Sequence, residues 1–121
     1  MYRRTEPVHE LSLCEGIART VARHAEGRRV TRVEAHVGYF HQVVPSSLQF
    51  CWQFVAQEAG LGACELEVTQ VPAVIECRSC GEKTKLEVPV LVCEHCAGRD
   101  VVLLSGDEFL VTSITCSKEA C

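Results

Sequence analysis

Apolar and polar positions recur along this chain with two different periods, and the change of period divides it into elements. From Leu11 to Glu26, the residues Leu13, Cys14, Ile17, Ala18, Val21, Ala22 and Ala25 return at steps of three and four. That spacing lays one apolar stripe along a helix, with Arg19, Arg23 and Glu26 on the wet side and Gly27 as the stop. Residues 1–8 show no period and read as a loose leader. Between Arg29 and Val37 the period drops to two: Val33, Ala35 and Val37 share one face, Arg32, Glu34 and His36 the other, and Gly38 ends the strand. Pro45-Ser46-Ser47-Leu48-Gln49 opens a second helix, with Ser46 as cap and Gln49 completing a capping box. Leu48, Cys51, Trp52, Val55 and Ala59 form its stripe, and Gly60 and Gly62 close it. Cys64 to Val68 alternates apolar with acidic residues, as a half-buried strand does, and Pro72 ends that neighbourhood. Short β-prone pieces, Val88–Val92 and Val101–Leu104, then surround two cysteine pairs before a closing strand over Phe109–Ile114.

The pattern predicts an α+β fold. Two helices pack on a small mixed β-sheet that includes the strands near 29–37, 64–71 and 109–114, and a Cys-rich piece is inserted between the last two. The expected domains are 8–72 plus 106–116, and an insert over 73–105.

Composition narrows the chemistry. The chain has 121 residues, 47% hydrophobic and 23% charged, the balance of a globular domain. Acidic residues outnumber basic ones 16 to 12, for a formal charge of −4, which argues against a general nucleic-acid binder. No run approaches the 18 or so apolar residues of a membrane span, and the two N-terminal arginines have no apolar run behind them. Nine cysteines cannot all pair within one chain. The expectation is a cytoplasmic protein whose cysteines are thiols or metal ligands.

Four of them form the strongest motif. Cys77-Arg78-Ser79-Cys80-Gly81 and Cys93-Glu94-His95-Cys96-Ala97-Gly98 are separated by twelve residues between Cys80 and Cys93. Two residues between cysteines let a tight turn aim both sulfurs at one point, and the glycines that follow can supply a positive φ. Four thiolates in a tetrahedron suit a structural Zn²⁺ with no open position, so the insert reads as a zinc ribbon. A thioredoxin-type motif would need one such pair opening a helix in a βαβ unit, and iron–sulfur proteins usually space the sulfurs differently. His95 is a candidate substitute for a cysteine or a solvent-facing residue. An insert this short needs its metal to fold. Of the other cysteines, Cys14, Cys51 and Cys64 read as small buried hydrophobes, and Cys116 and Cys121 as exposed residues of a polar tail.

A second signal lies at Val8-His9-Glu10-Leu11-Ser12-Leu13-Cys14-Glu15-Gly16-Ile17. Taken alone, Glu10 could be favourable charge at a helix N-terminus and His9 a surface residue. The segment nevertheless resembles the start of the hydrogenase-maturation nickel chaperones, the HypA/HybF family, whose members typically begin Met-His-Glu before an amphipathic helix. The resemblance continues through Arg29–Val33, Val37-Gly38, Ser46–Phe50, the four spaced cysteines and Gly106–Ile114, and covers nearly all of residues 8–115. It implies structural zinc on Cys77, Cys80, Cys93 and Cys96. It implies transported nickel on the residue matching His9, on neighbouring backbone nitrogens and, in some members, on the acid matching Glu10. Ni²⁺ favours imidazole and other nitrogen donors, and an open-edged site can release its ion. Such binding weakens as pH falls through the histidine pKa of about 6.5.

The chain departs from the pattern at two places. His9 is not the second residue. One reconciliation is that Val8, standing where the family has Met, is read from a GTG start and residues 1–7 are an overextension; with a start at Met1 instead, nickel would rely on His9, Glu10 and amide nitrogens alone. Val44 stands before Pro45 where many members carry an acid, so no accessory ligand is expected there. His24, His36 and His41 read as surface histidines. The resemblance implies a metallochaperone and not an enzyme, delivering Ni²⁺ with a GTPase partner to the large subunit of a nickel–iron hydrogenase, as a monomer or homodimer. The alternative is a zinc-ribbon interaction adaptor with no nickel role. A small zinc enzyme ranks last, because four cysteines leave no open coordination position.

Overall fold

The computed structural model describes residues 6–120, with side chains from Glu10 to Ser117. Its elements run α1 (Glu6–Ala25), β1 (Arg28–Gly38), a 3₁₀ turn (Tyr39–His41), α2 (Pro45–Glu58), β2 (Glu65–Val71), β3 (Val74–Cys77), β4 (Lys83–Lys85), β5 (Val101–Ser105) and β6 (Phe109–Ala120). Strand β1 lies between β2 and β6 in one three-stranded sheet, and β3 lies between β4 and β5 in a second. The architecture is α+β, and the three strands expected to share a sheet do so. The chain divides into two compact units. One holds the chain up to His36, Val43–Thr69 and the chain from Leu110; the other holds Val37–Gln42 and Gln70–Phe109.

In the first unit the apolar stripes become a core. Cys14, Ile17, Ala18, Val21 and Ala25 of α1, Leu48, Trp52, Val55 and Ala56 of α2, and Val30, Val33, Ala35 and Leu66 of the sheet are all buried. Each large apolar side chain taken out of water here contributes about 1.5–3 kcal/mol. The Trp52 indole N–H, which would otherwise be stranded, donates to the Cys64 carbonyl at 2.8 Å. Along β1 the buried positions step from Val30 to Val33 before settling into alternation, so the strand's period slips by one residue there. On the surface, the Arg32 guanidinium reaches Glu34 at 3.4 Å, Glu65 at 3.5 Å and Glu67, holding β1 beside β2.

Three local expectations change. Helix α1 begins at Glu6 rather than near Leu11, and takes in part of the supposed leader; Pro7 is tolerated because a first-turn N–H has no helical acceptor. Helix α2 has no capping box. Pro45 sits at its first position and Val44 is the N-cap, with no side-chain cap bond. Gln49 instead turns its amide across to the Leu66 carbonyl at 2.9 Å. Ala59 lies past the last turn and is exposed.

In the second unit β3 pairs antiparallel with β4, Ile75 opposite Thr84, and with β5, Ile75 opposite Leu103 and Cys77 opposite Val101. Ala73, Ile75 and Leu86 form its small core, with Tyr39, Phe40, Val101 and Leu103 packed against them. Val88–Val92 is not a strand. Pro89 has no N–H to give a ladder, and the N–H groups of Val90 and Val92 turn back to the carbonyls of Val88 and Val90. Val88, Val90 and Leu91 are consequently exposed.

Two glycines set the closest backbone approach in this unit. Gly38 N–H donates to Glu108 O at 2.7 Å and Phe40 N–H to Gly106 O at 2.8 Å. A Cβ on Gly38 would lie 2.2 Å from Gly106 O, a collision with backbone rather than with a movable side chain. We therefore expect Gly38→Ala to destabilise the protein by about 3 kcal/mol, measured by urea unfolding with zinc present. An unchanged midpoint would show that this approach can relax.

Candidate metal centre

The four motif cysteines converge. Their sulfur atoms all lie within 4.8 Å of one another, and among the described residues no other set of His, Cys, Asp or Glu does so. Two backbone knuckles of the same design place them. In the first, Gly81 N–H donates to Cys77 O and Cys77 N–H to Glu82 O, both at 2.9 Å. In the second, Ala97 N–H donates to Cys93 O at 2.8 Å and Cys93 N–H to Gly98 O at 2.9 Å. The fifth residue of each knuckle takes a positive φ, +79° at Gly81 and +63° at Ala97. The second left-handed residue is thus Ala97 and not Gly98. Gly98 does a different job: a Cβ there would sit 3.2 Å from the Cys96 sulfur, so the glycine leaves room for that ligand.

The sulfurs fit zinc. Cys77 Sγ lies 3.6 Å from Cys96 Sγ, and Cys80 Sγ lies 3.7 Å from Cys93 Sγ. A tetrahedron with Zn–S bonds of about 2.3 Å has edges of about 3.8 Å. Backbone N–H groups also face the sulfurs, as the His95 amide does to Cys93 Sγ at 3.4 Å. The N–H of Cys80, helped by that of Ser79 and by neighbouring thiols, holds Cys77 down to about 6. At Cys80 the pull of the Glu82 amide is outweighed by desolvation and by the three neighbouring sulfurs, which push it up to about 12. At Cys96 the Gly98 amide lowers the pKa, but the Cys77 and Cys93 thiols outweigh it and the net direction is up. A lowered Cys77 beside raised Cys80 and Cys96 is what crowding does to thiols before a cation draws off their protons. Cys77 and Cys93 are buried, Cys80 and Cys96 exposed. His95 is not part of the set: its Nε2 lies 3.9 Å from both Glu82 and Glu94, on the solvent side.

The N-terminal candidates stand apart from this centre in the chain. His9 belongs to the first turn of α1, and its side chain lies outside the described residues. Glu10 is buried, 1% exposed, and its carboxylate accepts the N–H of Val44, the N-cap residue of α2, at 3.2 Å. Sequence reasoning gave no hint of that contact, because the partner is 34 residues away and is a backbone atom. His24 Nδ1 bonds the Thr20 carbonyl at 2.9 Å, and His41 Nε2 bonds the Asp107 carbonyl at 3.1 Å.

The remaining cysteines are accounted for in place. Cys14 is fully buried, donates to Leu48 O at 3.3 Å, and is pushed up to about 12 by burial, with Cys51, Glu10 and Glu15 adding to it. Burial raises half-buried Cys51 and buried Cys64 as well. Cys116 is not in a loose tail; it lies half-buried in β6, and Cys121 is outside the described residues.

Comparison with known proteins points the same way. Residues 8–116 match the model of a family described as HypA, hydrogenase/urease nickel incorporation, metallochaperone. The chain is 31% identical over 116 residues to the hydrogenase maturation factor HypA of Dehalococcoides mccartyi strain CBDB1, covering 93% of this chain and 98% of that one. It is 32% identical over 111 residues to the protein of the same name from Chlorobium limicola, covering 89% and 96%. Its fold matches the solution structure of the Ni metallochaperone HypA from Helicobacter pylori with a TM-score of 0.64 at 20% identity, over 91% of this chain and 98% of that one.

Two variants and a proton count probe the centre. Gly98→Ala should weaken zinc binding by crowding the Cys96 sulfur. Ala97→Gly should leave affinity intact and stabilise the zinc-loaded protein by roughly 1 kcal/mol, since it relieves a left-handed alanine. Chelator competition and thermal unfolding check both, and equal affinities for the two variants would refute the crowding. Zinc binding at neutral pH should also release protons, chiefly from the raised thiols Cys80 and Cys96, and affinity should fall as pH falls. Calorimetry in buffers of different ionisation enthalpy reads that release.

Proposed function

The chain belongs to the HypA family of hydrogenase/urease nickel-incorporation metallochaperones, and from that premise we infer that it binds Ni²⁺ near its N-terminus and delivers it to the large subunit of a nickel–iron hydrogenase. The family works as metallochaperones rather than as enzymes, within hydrogenase maturation. In this reading the four-cysteine centre holds a structural zinc and takes no part in carrying nickel. The carriage falls to the start of α1, with His9 as the nickel ligand, and a maturation GTPase acts as the delivery partner. The working compartment is the reducing cytoplasm, in keeping with cysteines that are unpaired among the described residues. No described helix is long and apolar enough to cross a membrane.

The single observation that carries the reading is the match to the nickel-incorporation family over residues 8–116, a span that holds both the His9-Glu10 pair and the four cysteines. Chemistry supports the division of labour. Four thiolates form a closed shell that holds its ion, whereas a cargo site must let go. An imidazole in the first turn of a helix stands beside backbone nitrogens without helical partners, and imidazole with amide nitrogen is the donor set Ni²⁺ prefers. The two domain roles follow: nickel handling for residues 8–72 plus 106–116, zinc for residues 73–105.

Glu10 can serve in either of two ways, and substitution separates them. Its carboxylate already accepts the Val44 amide, so it can place the nickel end of α1 against the start of α2, or it can ligate the ion. Titrating zinc-loaded protein with Ni²⁺ by calorimetry should show binding in the wild type and none in His9→Ala, with zinc staying at about one per chain in both. Equal nickel binding by wild type and His9→Ala rejects the assignment of His9. Glu10→Gln retains an oxygen for the Val44 N–H, so a placing role predicts near-wild-type affinity for it and a loss for Glu10→Ala. Loss in both variants makes Glu10 a ligand.

A further inference from the structure

We propose that Cys14 and Cys51 form a redox-active pair, which peroxide closes into a disulfide that staples α1 to α2. The two helices run side by side in one register. The Glu10 carboxylate meets the Val44 amide at 3.2 Å, and one turn further on the Cys14 thiol meets the Leu48 carbonyl at 3.3 Å. Ala18, Ala22, Val55 and Ala59 line one groove farther along the same two helices. In an α-helix, the side chain three residues on stands within reach of a given carbonyl. The Leu48 carbonyl that receives the Cys14 thiol is therefore the one beside which the Cys51 side chain rises. Helix axes about 8–10 Å apart, with Cα atoms about 2.3 Å from each axis, bring facing Cα atoms to about 4–6 Å. That is a span a disulfide bridges. The small side chains of Cys14, Ala18 and Ala22 along one stripe of α1 favour such a close approach.

The surroundings single out this pair. The described ionisable groups that act on Cys14 are Cys51, Glu10 and Glu15, with no other cysteine among them. Cys64 turns to the Glu65 carbonyl at 3.8 Å, and Cys116 lies in β6. Cys14 is buried and Cys51 half-buried, so a small oxidant reaches Cys51 first. Two steps then follow. The Cys51 thiolate attacks one oxygen of hydrogen peroxide, the O–O bond breaks, and hydroxide leaves behind a sulfenic acid. The Cys14 sulfur attacks the Cys51 sulfur, the S–O bond breaks, and water departs with the proton of Cys14. In sum, two thiols and one peroxide give one disulfide and two waters. Burial raises both thiols, which slows the first step and keeps the pair open until peroxide is sustained. The bond lies one turn past Glu10 and uses none of the four sulfurs of the metal centre.

Peptide mapping of the full chain tests the proposal, with zinc loaded so that the four sulfurs of the centre are held as ligands. Protein exposed to hydrogen peroxide is unfolded, blocked with iodoacetamide and digested with trypsin without a reductant. The peptide that holds Cys14 should appear joined to the one that holds Cys51, two hydrogens lighter than their sum, and dithiothreitol should part them. The link should be lost in Cys51→Ser, where Cys14 stays open to iodoacetamide. It should be kept in Cys64→Ser, whose cysteine shares a tryptic peptide with Cys51. Circular dichroism and zinc content establish that both variants are folded. A Cys14 that takes up iodoacetamide while Cys51 goes on to sulfinic acid shows that the two sulfurs do not meet, and overturns the proposal. A link from Cys14 to any other cysteine, or one that survives Cys51→Ser, also overturns it. So do two thiols that both stay open to iodoacetamide after prolonged exposure to peroxide at levels that oxidise free cysteine.

Discussion

The convergence of four sulfur atoms is the constraint on which the Cys-rich unit depends. Its apolar core amounts to Ala73, Ile75 and Leu86 with a few half-buried neighbours, too little to offset the conformational entropy of ordering its strands and loops. The two knuckles change that balance. Each spends a left-handed residue and two backbone hydrogen bonds to hold a pair of sulfurs in place, and a cation bound by all four rewards only the folded arrangement. Metal affinity thereby becomes folding stability. The geometry is close to what zinc asks for, with edges of 3.6 and 3.7 Å between sulfurs, and a side chain at Gly98 would crowd the Cys96 sulfur.

A nickel-handling protein with nine cysteines faces a selectivity problem, because any accessible thiolate competes for soft and borderline cations. The fold answers by location. Cys14 and Cys64 are buried, Cys51 is half-buried, and burial moves all three thiols upward, away from the thiolate form that binds metal. The four gathered in one centre are placed to give up their protons to a single cation that all of them bind, and four thiolates form a closed shell.

Glu10 shows how the first unit ties its helices together at that end. A buried carboxylate costs several kcal/mol unless something bonds it. Here the Val44 amide does so, at the N-terminus of α2 where the helix dipole favours negative charge. Because Pro45 follows Val44 and no local side chain caps α2, the residue that meets this amide comes from the other helix. The start of α1 and the start of α2 are thus joined by one hydrogen bond.

Much of this was legible in the residues themselves, and the reason is locality. The stripe from Cys14 to Ala25, the alternation from Val33 to Val37, and the two-residue spacing inside each cysteine pair depend on neighbours within a turn or a pleat, so the chain alone determined both helices, the three strands of the first sheet and the gathering of four sulfurs. The expectations that failed were also local ones, overruled from a distance. Ser46 and Gln49 look like a capping box, but Gln49 finds the Leu66 carbonyl across the unit. Val88–Val92 has strand composition, but Pro89 within it has no N–H to give a ladder. What only the tertiary structure decided is which groups meet across long separations: Glu10 with Val44, Trp52 with Cys64, Gly38 with Glu108 and Gly106, and β6 on the outside of its sheet. Those contacts are set by the packing of whole elements, and a pattern of neighbours carries no record of what lies opposite.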